Sequence, residues 1–140
     1  MNADVFIDTN VFLYAISDRP EEQDKANRAR DLLLNASWGW SAQVAGEFFV
    51  AATSPKRHFQ LSPEQAAEFV KTWLNFPTAA ISSSTVVRAM AIQQQFRLSY
   101  WDAAIIAAAG ELECHTLYTE DLSDGQDYDG VQAVNPFRSL

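Results

Sequence analysis

Apolar and polar positions along this chain change period several times, and each change marks an element. Val5, Phe6 and Ile7 follow Asp4 as a short apolar run with no alternation, which predicts a buried strand over residues 4–7. Asp8, Thr9 and Asn10 can cap a helix over residues 11–16, which Ser17, Asp18, Arg19 and Pro20 then break. A second helix is expected over 21–35, with Ala26, Ala29, Leu32 and Leu33 on one side. Residues 38–41 read as a second strand, and helical spacing resumes over 42–52 through Val44, Phe48 and Ala51. After a loop at 54–58, Ser62, Pro63 and Gln65 supply an N-cap, a first-turn proline and a capping-box partner. A third strand is expected over 77–81, a helix over 85–96, and an alanine-rich helix over 100–112 capped by Ser99. Strands at 116–118 and 131–134 complete the pattern. Strands alternating with helices predict an α/β fold around a parallel sheet.

Length and composition narrow this further. A chain of 140 residues is expected to form one domain over 1–140, large enough for a core without covalent staples. The one cysteine, Cys114, excludes an internal disulfide and fits a reducing compartment. No basic segment opens the chain, and no apolar run reaches the roughly 18 residues of a membrane span, so a cytoplasmic protein is expected. The net charge of −8 argues on its face against a nucleic-acid partner. Acids gathered around divalent cations would reverse the field locally, so charge leaves the partner undecided.

The candidate chemistry lies in four acids at the ends of expected elements: Asp8, Glu47, Asp102 and Asp121. In a parallel α/β domain, sites form outside the carboxyl ends of the strands. Asp8 and Asp121 follow strands, while Glu47 and Asp102 are expected in the first turns of helices that begin near the same rim. Taken singly, each has a plainer reading. Asp8 serves as a helix N-cap, and Asp102 as an acid at a helix N-terminus beside Ser99. Glu47 reads as an exposed helix position, and Asp121 as part of the polar turn 120–125. Taken together, a carboxylate group without nearby bases points to a hard divalent cation, Mg²⁺ or Mn²⁺. Other chemistries find less support. Glycine-rich phosphate loops are absent, and the second aspartate of a haloacid-dehalogenase-like phosphatase is replaced by Asn10. Ser41 and Ser99 lack a suitable histidine, since only His58 and His115 exist, and adjacent Cys114 and His115 have no second pair.

Phe6 to Tyr14, with Asp8, Thr9 and Asn10 at its centre, resembles the opening of PIN-domain ribonucleases, in particular VapC-type toxins. Ser41, Ala42 and Gln43 followed by Glu47 and Phe48 are similar to the second motif of that family. Residues 98–109, around Ser99, Trp101, Asp102 and Ala103, resemble the third, and residues 117–122 the fourth. The resemblance implies an α/β/α sandwich and a metal-dependent endoribonuclease that hydrolyses RNA phosphodiesters with Mg²⁺ or Mn²⁺. It places Asp8, Glu47, Asp102 and Asp121 in the metal pocket, with Thr9 and Asn10 orienting Asp8 or water and Ser41 or Gln43 as support. Glu120 and Asp124 are alternatives to Asp121, which the Thr-x-Asp spacing favours. Lys56 and Arg57, beside His58, are the candidate RNA contacts, with Arg28 and Arg30 a second cationic pair. The resemblance further implies a homodimer and inhibition by a small antitoxin. Phe48, Phe49, Phe69, Trp73 and Phe76 offer aromatic surface either for such contacts or for the core. An inactive binding module, a DNA nuclease and a phosphatase remain the rival readings.

Overall fold

A computed structural model describes residues 2–58 and 60–140. Its centre is a six-stranded sheet in the order β3-β2-β1-β4-β6-β5. The strands are β1 (Val5–Ile7), β2 (Trp38–Ser41), β3 (Thr78–Ala79), β4 (Thr116–Tyr118), β5 (Asp127–Tyr128) and β6 (Val131–Val134). The helices are α1 (Thr9–Ala15), α2 (Gln23–Asn35), α3 (Ala42–Ala52), α4 (Pro63–Trp73), α5 (Ser83–Phe96) and α6 (Tyr100–Glu111). β1 pairs in parallel with both β2 and β4, which explains its unbroken apolar sequence. The chain moves from β1 to β2 to β3, then returns to the other side of β1 for β4. Right-handed crossovers therefore place α1 to α4 on one face and α5 and α6 on the other. Contacts between α1 and α2, α1 and α3, and α3 and α4 agree, as do those of α5 on α6. The expected α/β/α sandwich is the observed fold.

Two cores flank the sheet. On one face Phe12 packs 4.9 Å from both Trp40 and Trp73 by ring centroid, and Phe48 lies 5.0 Å from Trp73. Phe48 and Trp73 thus belong to the core, while Phe69 and Phe76 sit at its rim, partly exposed. On the other face α6 is buried throughout residues 103–109, and its alanines let it lie directly across β2, β3, β4 and β6.

Several boundaries differ from expectation for local reasons. Pro20–Glu22 forms a 3₁₀ turn leading into α2. α5 begins two residues early because Ser82 and Thr85 make a reciprocal capping box. The sheet is also not wholly parallel. β5 runs antiparallel to β6 across a turn in which Asp129 and Gly130 have φ of 55° and 90°. An Asp-Gly pair with two positive φ angles is the favoured two-residue hairpin turn, and it adds an edge strand too short to be seen by periodicity.

Candidate active site

The reversal of strand order between β1 and β4 opens a crevice at the carboxyl end of the sheet, where binding sites of such folds form. Ile7 stands opposite Tyr118, so the next residues, Asp8 and Thr119, meet at that crevice. The Asp8 N–H donates to the Tyr118 carbonyl at 3.1 Å, continuing the strand pairing one step further. Asp8 caps α1: its Oδ1 accepts from the Thr9 N–H at 2.7 Å, and its Oδ2 from the Thr119 hydroxyl at 2.8 Å. The residue is only 6% exposed. Burial accordingly pushes the Asp8 carboxyl up to about 6. The hydrogen bonds from Thr119 and Thr9 pull it down, and the charges of Asp121 and Glu47 push it up again.

The other acids arrive from three elements. Glu47 projects from the middle of α3, not from its first turn as expected, six residues beyond the capping Ser41, whose hydroxyl accepts from the Val44 N–H. Its Oε1 accepts from the Thr9 hydroxyl at 2.7 Å, and its Oε2 from the Gln43 amide at 3.2 Å. Asp102 sits in the first turn of α6, its N–H donating to the capping Ser99 hydroxyl. Asp121 follows β4, with its N–H donating to the Thr119 hydroxyl at 3.2 Å and its Oδ2 accepting from the Asn10 amide at 3.0 Å. Its carboxyl is raised by partial burial, then by Glu120, Asp102 and Glu47. The charged neighbours that shift Asp8 and Asp121 are all carboxylates. Asp121 and Glu47 thus act on Asp8, and Asp102 from the other helical layer acts on Asp121.

The turn after β4 separates its three acids. Glu120 accepts from the Tyr14 hydroxyl at 2.7 Å and pairs with Lys25 at 3.2 Å. Asp124 pairs with Arg138 and accepts from the Asn135 N–H. Of the three, Asp121 is the one tied to the N-terminal turn of α1, whereas Glu120 meets its last turn. Ser41 is 2% exposed and serves α3, so Gln43 is the residue of that pair that touches an acid. Thr119 is the residue that sequence reading passed over as a partner. Its hydroxyl bridges Asp8 and Asp121, and the Thr-x-Asp spacing was the available signal.

Of the cations, Arg57 donates to the Leu13 carbonyl and lines a cavity of about 160 Å³ with Asn10, Leu13, Tyr14 and Glu22. Asn10 joins this cavity to the acids. Lys56 is exposed on the same loop. Arg28 and Arg30 bond the Pro136, Ala15 and Ser17 carbonyls, bracing α2. Cys114 is buried, its thiol donating to the Ala3 carbonyl, while the His115 ring lies near the Gly130 carbonyl.

The oxygen-only donor set fits a hard divalent cation in kind. Among the described residues, no three acid, histidine or cysteine side chains already stand close enough together to hold an ion. Instead Glu47 accepts from Thr9 and Gln43, Asp121 from Asn10, and Asp8 from Thr119.

The PIN domain family model matches residues 5–123, and the chain belongs to that family. Among solved structures it is similar to a toxin–antitoxin complex from Klebsiella pneumoniae, with 22% identity over 95% of this chain and 98% of that one (TM-score 0.68). It is also similar to DNA-bound VapBC from Salmonella typhimurium, with 18% identity over 95% and 97% (TM-score 0.66). A third is the Mycobacterium tuberculosis toxin VapC20, described as cleaving the sarcin-ricin loop, at 16% identity over 84% and 89% (TM-score 0.63). No curated protein matches the chain.

Proposed function

We propose that this protein is a metal-dependent endoribonuclease and the toxin of a toxin–antitoxin pair. The observation that carries the reading is the hydrogen-bonded placing of Asp8, Glu47 and Asp121 through Thr9, Asn10 and Thr119 at the strand-order crevice, with Asp102 near enough to Asp121 to raise its carboxyl, supported by membership of the PIN domain family. Asp8 and Asp102 would be the principal ligands of Mg²⁺ or Mn²⁺, with Glu47 and Asp121 completing the set. A bound divalent cation would neutralise phosphodiester charge and lower the pKa of an attacking water. The protein's own part is positional. Asp8 is fixed by two donors, Thr9 holds Glu47, Asn10 holds Asp121, and Thr119 sets the spacing between Asp8 and Asp121. Asp8 lies deepest, while Glu47, Asp102 and Asp121 line the approach from solvent.

Arg57 and Lys56 are the proposed contacts to the RNA backbone, since the Arg57 cavity opens from Asn10. Reversing both charges should weaken RNA binding and flatten its dependence on salt. A salt slope equal to wild type would remove both residues from the interface. The named toxin–antitoxin complexes among the similar structures support an antitoxin partner, one of whose cations would displace the metal among the carboxylates. A homodimer and a cytoplasmic location belong to the same reading.

The deciding experiment is cleavage of a structured RNA pool with Mg²⁺, Mn²⁺ or EDTA, beside Asp8→Asn and Asp102→Asn. Metal-dependent cutting that both variants lose is expected. Cutting that survives EDTA or either substitution would overturn the assignment, and preferential attack on single-stranded DNA or a phosphomonoester would move it to another substrate.

A further inference from the structure

Glu120 directly precedes Asp121, and the two carboxylates have different partners. Asp121 accepts from Asn10 in the first turn of α1. Glu120 accepts from Tyr14 in the last turn of α1, at 2.7 Å through Oε1, and from Lys25 of α2 at 3.2 Å through Oε2. The Lys25 ammonium also donates to the Tyr14 hydroxyl at 3.2 Å, closing a ring of three side chains. Ion pairs between long exposed side chains contribute little order. This pair is braced. The Lys25 nitrogen lies 4.8 Å from the centroid of the Tyr14 ring and 5.6 Å from that of Phe137, and the two rings meet edge-on at 5.0 Å. Four parts of the chain, α1, α2, the turn after β4 and the segment after β6, thus converge on the carboxylate that the acid set leaves out.

Resting on the nuclease reading above, we infer that Lys25 is a positioning residue: with Tyr14 it holds Glu120 out of the metal pocket and offsets its charge, so that Asp121 alone of the two completes the set. The need for such a device follows from charge. Burial is the first cause of the raised Asp121 carboxyl, and Glu120 leads the charged groups behind it, ahead of Asp102 and Glu47. A further unpaired carboxylate so near would draw a divalent cation more strongly, and it would repel the phosphodiester that must reach that cation. Freed of Lys25, Glu120 competes with Asp121 for the ion and misplaces it against the scissile bond. Metal affinity and cleavage therefore move in opposite directions when Lys25 is lost, which a loss of packing would not produce. A direct grip of Lys25 on an RNA phosphate fits the geometry less well, because the ammonium is already engaged by Tyr14, Glu120 and two ring faces.

The test measures Mn²⁺ binding by titration calorimetry and, separately, cleavage of RNA, for wild type, Lys25→Met, Lys25→Arg, Glu120→Gln and the double variant Lys25→Met/Glu120→Gln. Lys25→Met should bind Mn²⁺ about 2- to 5-fold more tightly, while its kcat/KM falls about 10- to 100-fold. Lys25→Arg, which keeps the charge, and Glu120→Gln should both stay close to wild type. The double variant should return both quantities to the wild-type level. It lacks the same ammonium as Lys25→Met, so recovery there separates the charge of Glu120 from any loss of packing. A Lys25→Met protein equal to wild type, or one in which Mn²⁺ affinity and cleavage fall together, would overturn the inference while leaving the nuclease standing. So would cleavage that stays low in the double variant, which would make Lys25 a direct RNA contact, or cleavage lost in Glu120→Gln, which would put Glu120 among the ligands. A wild type that binds Mn²⁺ without cutting RNA, with the expected order of affinities across the variants, would sink the nuclease and keep the role of Lys25. A wild type that binds no Mn²⁺ would sink both.

Discussion

Asp8 shows how one residue carries both a structural and a chemical load. As an N-cap it would fit any helix, but here the crevice buries it, and the cost of its charge is held down by Thr9 and Thr119. The pH dependence follows in sign. Its native value of about 6 lies above the ordinary 3.8, so between those values the metal-free native state binds more protons than the unfolded chain. Stability should therefore fall as pH rises from about 4 to 6, by about 3 kcal/mol from this group, and then level off. Asp8→Asn removes the ionisation. Its stability relative to wild type should rise across that window, and its melting temperature at pH 7.5 should be equal or higher. Urea midpoints for both proteins from pH 4 to 8 check this, and a constant difference across the range would show that Asp8 titrates normally.

At the scale of elements, local chemistry and packing make separate contributions. Ser62 with Gln65 and Ser99 fix helix starts through side-chain caps, which a sequence declares openly. Packing is less visible. β2 admits Gly39 because a Cβ there would stand 2.8 Å from Leu112 Cδ1, 3.1 Å from the Pro77 carbonyl oxygen and 3.2 Å from the Ala3 Cβ. That carbonyl also accepts from the Trp40 N–H, so it cannot retreat without loosening β2 from the segment before β3. Gly39→Ala should destabilise the protein by about 1–3 kcal/mol through overpacking. Its denaturation midpoint, measured beside the exposed Gly46→Ala control, decides this; equal midpoints would mean that Leu112 and Ala3 simply yield.

For the whole molecule, a net charge of −8 makes general salt and specific metal effects separable. Salt screens repulsion between dispersed acids, whereas an ion held by the crevice adds stability through binding to the native state alone. At matched ionic strength, Mn²⁺ or Mg²⁺ should raise the melting temperature beyond NaCl. The excess should grow from pH 5 to 8, as the acids lose protons that compete with the ion. Asp8→Asn and Asp102→Asn should each abolish it. An identical rise in wild type and both variants would show that the ions act only by screening.

The sequence by itself determined the alternation of strands and helices, hence the α/β/α class, because apolar period and capping residues are local properties. It also marked Asp8, Asp102 and Asp121, since each stands where an apolar element ends or begins, whereas Glu47 lies in the middle of α3. The Asp-Gly hairpin was present in the sequence too, but β5 is two residues long and gives no period to read. Only the tertiary structure decided which way the acids of the turn after β4 face. Lys25 and Tyr14 draw Glu120 aside, Arg138 takes Asp124, and Asn10 reaches Asp121. It alone set the burial that shifts Asp8 and the bridging role of Thr119. These depend on contacts between residues as many as 111 positions apart, which only the return of β4 to the side of β1 brings together.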